Sequence, residues 1–175
     1  MQGVSAIPEI TLADAPTVVR TAVATGRPAV LLGPPGVGKT QAVLGLSDVR
    51  HVLINAANSL PYDLLGQPIA LQSRGSATSV LATPTWLAEI ERIGRDVPGM
   101  LVIDELTTAP LESAPAFSQL LGERRCGPHR LPDGWAVVGL GNEPTHRAGA
   151  RPLFAHIVNR CAVYRVVPDV GAWQA

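Results

Sequence analysis

The sequence predicts an α/β domain built on an open parallel sheet, and three stretches carry that prediction. Ala29-Val30-Leu31-Leu32, Met100-Leu101-Val102-Ile103 and Trp135-Ala136-Val137-Val138 are unbroken apolar runs of strand length. Strands covered by helices on both faces read this way, because neither side of the pleat meets water. Each run leads into polar chemistry: a glycine-rich loop, a carboxylate pair, and Asn142. Ligands collect at the carboxyl edge of such sheets.

A chain of 175 residues fits one domain over 1–175, long enough for a real core. Hydrophobic residues make up 46% and charged residues 16%, which excludes a disordered chain. With three Trp, two Tyr and two Phe, the core must be aliphatic. Fourteen basic residues balance fourteen acidic ones. No global charge therefore points to nucleic acid or an acidic membrane, although a local patch is not excluded. Cys126 and Cys161 lie in no C-x-x-C pair and near no histidine set, so two unpaired thiols in a reducing compartment are expected. No basic segment followed by an apolar run opens the chain, and no stretch approaches the ~20 apolar residues of a membrane span. The expectation is a cytoplasmic protein with no membrane partner.

After a lead-in over 1–13, Ala15, Val18, Val19, Ala22 and Val23 form an apolar stripe at helical spacing, preceded by Asp14 and stopped by Gly26. Then comes Gly33-Pro34-Pro35-Gly36-Val37-Gly38-Lys39-Thr40, a G-x-x-x-x-G-K-T motif between the first apolar strand and a helix over Gln41 to Leu46. Its glycines let backbone N–H groups converge on a polyphosphate, where a β-carbon would intrude. The helix N-terminus adds unpaired N–H groups. Lys39 reaches the β- and γ-phosphates, and Thr40 offers its hydroxyl to Mg²⁺. A plain Gly/Pro turn would not need the lysine and threonine at this spacing.

His51 to Ala56 reads as a further buried strand, ending near Asn55 and Asn58. Residues 61–83 read as irregular, except for a hairpin of Ile69–Gln72 and Ser79–Ala82 around a polar tip. Pro84 opens a helix from Thr85 to Gly94, with Trp86, Leu87, Ile90 and Ile93 inward. Asp104 and Glu105 end the next strand. Asp104 suits the Mg²⁺ shell opposite Thr40, and Glu105 suits the orientation and deprotonation of water. Capping of the following helix, Leu111 to Leu121, is the simpler reading of the pair taken alone. The turn-rich stretch 123–134 holds Arg124, Arg125 and Arg130, a solvated connection or a partner-binding loop. Asn142 ends the strand that starts at Trp135, suited to the attacking water or γ-phosphate; a turn-forming asparagine is the simpler reading. Leu153, Phe154, Ile157 and Val158 form a short amphipathic helix closed by Asn159-Arg160, before a last strand over Ala162–Val167. Arg160, alone at the surface, reads as a solvated or ion-paired residue.

Taken together, GPPGVGKT, LVIDE, VVGLGN and an arginine before a fifth strand resemble the AAA+ ATPase core of the P-loop NTPases. Asp63-Leu64-Leu65-Gly66-Gln67-Pro68, Asp104-Glu105-Leu106-Thr107-Thr108-Ala109-Pro110 and Leu131-Pro132 ahead of Trp135 are similar to segments of its MoxR-like, dynein-related branch. The resemblance spans about residues 27–167. It implies a three-layer αβα sandwich with a parallel sheet of order 5-1-4-3-2. It implies an ATP site at Gly33, Pro34, Pro35, Gly36, Val37, Gly38, Lys39, Thr40 and Gln41, with Thr40 and Asp104 on Mg²⁺. Glu105 and Lys39 would be catalytic, Asn142 would be sensor 1, and Arg160 an arginine finger acting on a neighbour's nucleotide. Asn55 would restrain Glu105. The runs near 69–82 and 124–134 would be the helix-2 insert and pre-sensor-1 hairpin, facing the pore of a homo-oligomeric, hexameric ring. The branch's helical lid, with its sensor-2 arginine, has no counterpart before Ala175, so the fold is expected without it, and tight binding and ring assembly would need it supplied otherwise.

The expected function is Mg²⁺-dependent ATP hydrolysis coupled to remodelling of a macromolecular partner. That partner is a protein client or a von Willebrand A-type protein. The alternatives are a nucleotide-dependent switch with little turnover, a DNA-directed motor that keeps nucleic acid among the partners, and a phosphotransferase, which the Asp104-Glu105 pair and Asn142 argue against.

Overall fold

The computed structural model describes residues 7–73, 75–143, 151, 157 and 159–168, with the side chains of Ser73 and Ser76 left aside. Leu153, Phe154 and Val158 of the expected amphipathic helix lie outside the described residues. Among the described residues ten strands run β1 (Glu9–Thr11), β2 (Ala29–Leu32), β3 (Arg50–Asn55), β4 (Pro68–Ser73), β5 (Ser76–Leu81), β6 (Gly99–Asp104), β7 (Arg125–Cys126), β8 (His129–Arg130), β9 (Trp135–Gly141) and β10 (Ala162–Val167). The described α-helices are α1 (Ala15–Thr25), α2 (Lys39–Leu44), α3 (Pro61–Leu65), α4 (Thr85–Ile93) and α5 (Ala114–Glu123).

Six strands form one all-parallel sheet in the order β1-β10-β2-β9-β6-β3. Counted among the five strands predicted from sequence, β10-β2-β9-β6-β3 is the order 5-1-4-3-2. β1 adds an edge strand in what reads from sequence as a lead-in. It pairs Glu9 with Arg165 and Thr11 with Val167, and the Arg165 side chain bonds Glu9 Oε1 at 3.2 Å and Glu143 Oε1 at 2.5 Å.

The period-two alternation of the strands splits the core into two layers. Leu31, Met100, Val102, Val138, Leu140 and Val166 pack with Ala15 and Val19 of α1 and Val43 of α2. Val30, Val52, Ile54, Leu101, Ile103 and Val137 pack with Leu64 of α3, Trp86, Leu87 and Ile90 of α4, and Phe117, Leu120 and Leu121 of α5. Each fully buried side chain of this size contributes roughly 1.5–3 kcal/mol. The result is a three-layer αβα sandwich.

Several boundaries differ from the sequence expectation for local reasons. α5 begins at Ala114 rather than Leu111, because Pro115 fits only the first turn of a helix; Leu111 stands exposed in the turn before it. α2 stops at Leu44, where Gly45 closes it by donating its N–H to Gln41 O at 2.8 Å. The irregular stretch contains α3, opened by Pro61 and by the Asp63 carboxylate accepting the Leu60 N–H at 2.8 Å. The expected hairpin is present as β4–β5, longer than predicted at both arms, with Ile69 opposite Val80 and Leu71 opposite Thr78. Residues 125–130 form the second, smaller hairpin, β7–β8. His129 Nε2 lies 3.0 Å from Leu65 O and ties it to α3. No described helix is long and apolar enough to cross a membrane.

Candidate functional site

Strand register brings the predicted site together at the carboxyl edge of the sheet. Leu32 of β2 pairs with Gly141 of β9, so the loop that starts at Gly33 emerges beside Asn142. Ile103 of β6 pairs with Gly139, which sets Asp104 and Glu105 one strand further along. These three chain segments enclose a cleft of about 430 Å³. Pro35, Gly36, Gly38, Lys39, Thr40 and Gln41 line it on one side, Asp104 and Glu105 on another, and Gly141 and Asn142 at its base.

The loop holds its shape through two glycines in the left-handed region, Gly36 at φ 77° and Gly38 at φ 98°, where other residues are strained. Val37 sits between them with its side chain in the α1–α2 core layer, so it anchors the loop rather than meeting a ligand. Gly33 and Pro34 act through their carbonyls. Lys39 Nζ donates to Gly33 O at 3.0 Å, Pro34 O at 2.8 Å and Asn142 Oδ1 at 3.3 Å. An ammonium has three donors, and all three are used. Burial nevertheless pushes the Lys39 pKa down, against the opposing pull of Asp104 and Glu143.

Thr40 donates its hydroxyl proton to Asp104 Oδ2 at 3.0 Å, and Asp104 Oδ1 accepts the Glu105 N–H at 2.8 Å. With its proton turned to Asp104, the Thr40 oxygen keeps its lone pairs for the cleft. Two hard oxygen donors side by side fit Mg²⁺, which takes few protein ligands and completes its octahedron with phosphate and water. Among the described residues no group of three or more His, Cys, Asp or Glu could hold a metal.

Glu105 adopts φ 54°, a left-handed conformation that costs roughly 1–3 kcal/mol for a residue with a side chain. It turns the chain from β6 into the short helical turn Leu106–Thr108 and places its carboxylate on the cleft. Thr108 Oγ1 donates to the Glu105 carbonyl at 2.9 Å. Asn55, the proposed restraint on Glu105, uses its Oδ1 to accept the Ala57 N–H at 3.0 Å and cap the turn after β3.

Arg160 is not in the cleft. It precedes Ala162, which pairs with Ala29 at the opposite, amino edge of the sheet. From Ala29 to Gly33 the strand rises on the order of 13 Å. Arg160 is exposed and lies 3.8 Å from Glu123, an ion pair of little energetic weight. In the basic stretch, Arg124 donates to Gly26 O at 3.1 Å and Pro132 O at 2.9 Å, and Arg125 pairs with Glu123 at 2.7 Å. Arg124 thus braces the fold through two backbone carbonyls, while Arg125 is a half-exposed residue whose charge is matched by Glu123. Burial pushes the thiols of Cys126 and Cys161 up to about 11, which disfavours the thiolate of each at neutral pH.

Sequence reasoning missed two residues of the site. Gly141 lines the cleft, and Thr107, nearly fully buried, accepts the Asn142 N–H on its Oγ1 at 3.0 Å. The available signals were the glycine before Asn142 and the threonine pair after Glu105.

No protein-family profile and no curated protein matches the chain. Among solved structures it is similar to the crystal structure of a candidate ATPase from Cytophaga hutchinsonii, with a TM-score of 0.57 and 19% identity over 94% of this chain. The chain spans 50% of that protein's length. At this identity the likeness is one of fold.

Proposed function

We propose that the protein binds ATP and hydrolyses it with Mg²⁺, as a MoxR-like AAA+ ATPase that works in a ring on a macromolecular partner. The observation that carries this reading is the meeting of Lys39, Thr40, Asp104, Glu105 and Asn142 around one cleft, from three adjacent strands. Backbone N–H groups of Gly36 to Thr40 receive the phosphates. Lys39 exchanges neutral carbonyl acceptors for phosphate oxygens, and charge-assisted bonds of that kind are about twice as strong. Thr40 and Asp104 hold Mg²⁺, which when bound neutralises charge on the β- and γ-phosphates. Glu105 accepts a proton from the attacking water on its carboxylate. Asn142, already fixed on Lys39, presents its amide to the γ-phosphate. Arg160, a strand's length away, serves a neighbouring subunit's site.

The carbonyl bonds of Arg124 and the pairing of Arg125 with Glu123 weigh against a DNA-directed motor. The β4–β5 hairpin, with Ile69, Leu71 and Val80 exposed, supports contact with a protein client. The branch, the ring and the remodelling role rest on the motif resemblance. Titration with a fluorescent ATP analogue tests the nucleotide reading. Binding strengthened by Mg²⁺ in the wild type, but not in Asp104→Asn, is expected. Equal affinity in wild type and Lys39→Ala would remove it.

A further inference from the structure

The turn Leu106–Thr108 does more than follow the carboxylate pair, because its side chains are keyed into β9. A β-carbon on Gly139 would lie 2.9 Å from Leu106 Cδ2. One on Gly141 would lie 2.8 Å from Thr107 Cγ2 and 3.2 Å from Thr107 Oγ1. Leu106 and Thr107 therefore occupy the two gaps that the glycines leave in the strand. Thr107 is bonded on both sides of its gap. Its Oγ1 accepts the Asn142 N–H at 3.0 Å, and its carbonyl accepts the Arg151 N–H at 2.8 Å. Asn142 Oδ1 in turn accepts Lys39. A continuous path of contacts runs from the Asp104–Glu105 turn through Thr107 to Asn142 and the loop lysine.

We propose that Thr107 is a positioning residue for hydrolysis: its hydroxyl, by accepting the Asn142 N–H, fixes that asparagine, while its methyl only fills the gap at Gly141. The inference rests on the nucleotide reading above. The two functions of the side chain are separable. Valine fills the gap but removes the acceptor, leaving the buried Asn142 N–H without its partner. Serine keeps the acceptor and loses only the methyl. The close approach also explains why residue 141 is glycine: a β-carbon there meets the threonine methyl at 2.8 Å, and Leu32 Cδ2 and Thr107 Oγ1 at 3.2 Å each; serine at 107 removes the first of these contacts and leaves the other two.

The test compares Thr107→Val, Thr107→Ser, Gly141→Ala and the Gly141→Ala/Thr107→Ser pair. ATP affinity, kcat and KM are measured together with hydrogen exchange of the Asn142 amide. Thr107→Val is expected to lower kcat about tenfold or more, as misplacement of a reacting group does. ATP affinity should stay within about twofold, since the loop that grips the phosphates is untouched. The Asn142 amide should exchange faster. Thr107→Ser should keep most of the turnover, and it should restore part of the turnover of Gly141→Ala by removing the 2.8 Å methyl contact. Wild-type kcat in Thr107→Val, or a loss of turnover in Thr107→Ser as large as in Thr107→Val, would overturn the positioning role and leave the nucleotide reading intact. A wild-type protein that binds no ATP removes the nucleotide reading, and this inference with it.

Discussion

Lys39 carries its charge in surroundings that disfavour it. Burial lowers its pKa below the ordinary 10.5, so between those two values the unfolded chain holds more protons than the folded one. Folding stability therefore rises with pH across that window. A bound polyphosphate favours the charged amine and draws the pKa back up. Nucleotide binding in that window should take up protons, and affinity should fall as pH rises through the folded pKa. Calorimetric titration of ATP in buffers of different ionisation heat measures this; Lys39→Ala should show no such uptake at its residual affinity. The residues of this site were legible in the sequence where their meaning lies in local spacing, as in Gly33 to Thr40 and Asp104-Glu105. Thr107 and Gly141 were not, because each matters through contact with a strand distant in sequence. Arg124 and Arg125 were misleading for the same reason: as letters they are a basic cluster, while in the fold they bind carbonyls and Glu123.

Among the elements, those with a strong apolar pattern were readable nearly to the residue. β2, β6 and β9 are continuous apolar runs, β10 is apolar but for Arg165 and the half-buried Tyr164, and α1 is an apolar stripe at helical spacing, with Gly26 at φ 65° ending it. Short elements escaped. β1 has three residues and exists through pairing with β10; α3 has five and exists through Pro61, Asp63 and the burial of Leu64. The turn after β3 is held to α5 by Ser113, fully buried, whose hydroxyl donates to Ser59 O at 2.6 Å. Ser113→Ala leaves that carbonyl without its donor and should cost about 1–3 kcal/mol in denaturant unfolding, with ATP affinity unchanged. The β4–β5 hairpin pairs mainly with itself and exposes Ile69, Leu71 and Val80. Replacing 69–80 by a short Gly-Ser turn should leave thermal stability and ATP binding close to wild type, because the sheet core is not involved. A large loss of stability would show that the hairpin belongs to the core.

At the scale of the whole molecule, the sheet order places the cleft and Arg160 at opposite edges. That separation follows from parallel strands: a residue before β10 and a loop after β2 cannot meet in one chain. The sequence motifs named both features, but only the register of Ala162 on Ala29 shows that Arg160 is out of reach of its own site. If Arg160 completes a neighbour's site, Arg160→Ala and Lys39→Ala should each be inactive alone and regain part of the turnover when mixed. Phosphate release from the mixture measures this, and a mixture no more active than its components would refute the exchange.

The reading of the cleft as a hydrolytic site depends on Glu105 more than on any other side chain. Phosphate release and ATP binding, measured side by side for wild type and Glu105→Gln with Mg²⁺, test it most directly. The amide keeps the size and polarity of the carboxylate and cannot accept the proton of water at neutral pH. Glu105→Gln should bind ATP within about threefold of wild type, and release phosphate slower by on the order of a hundredfold or more. Phosphate release at the wild-type rate from Glu105→Gln would contradict it.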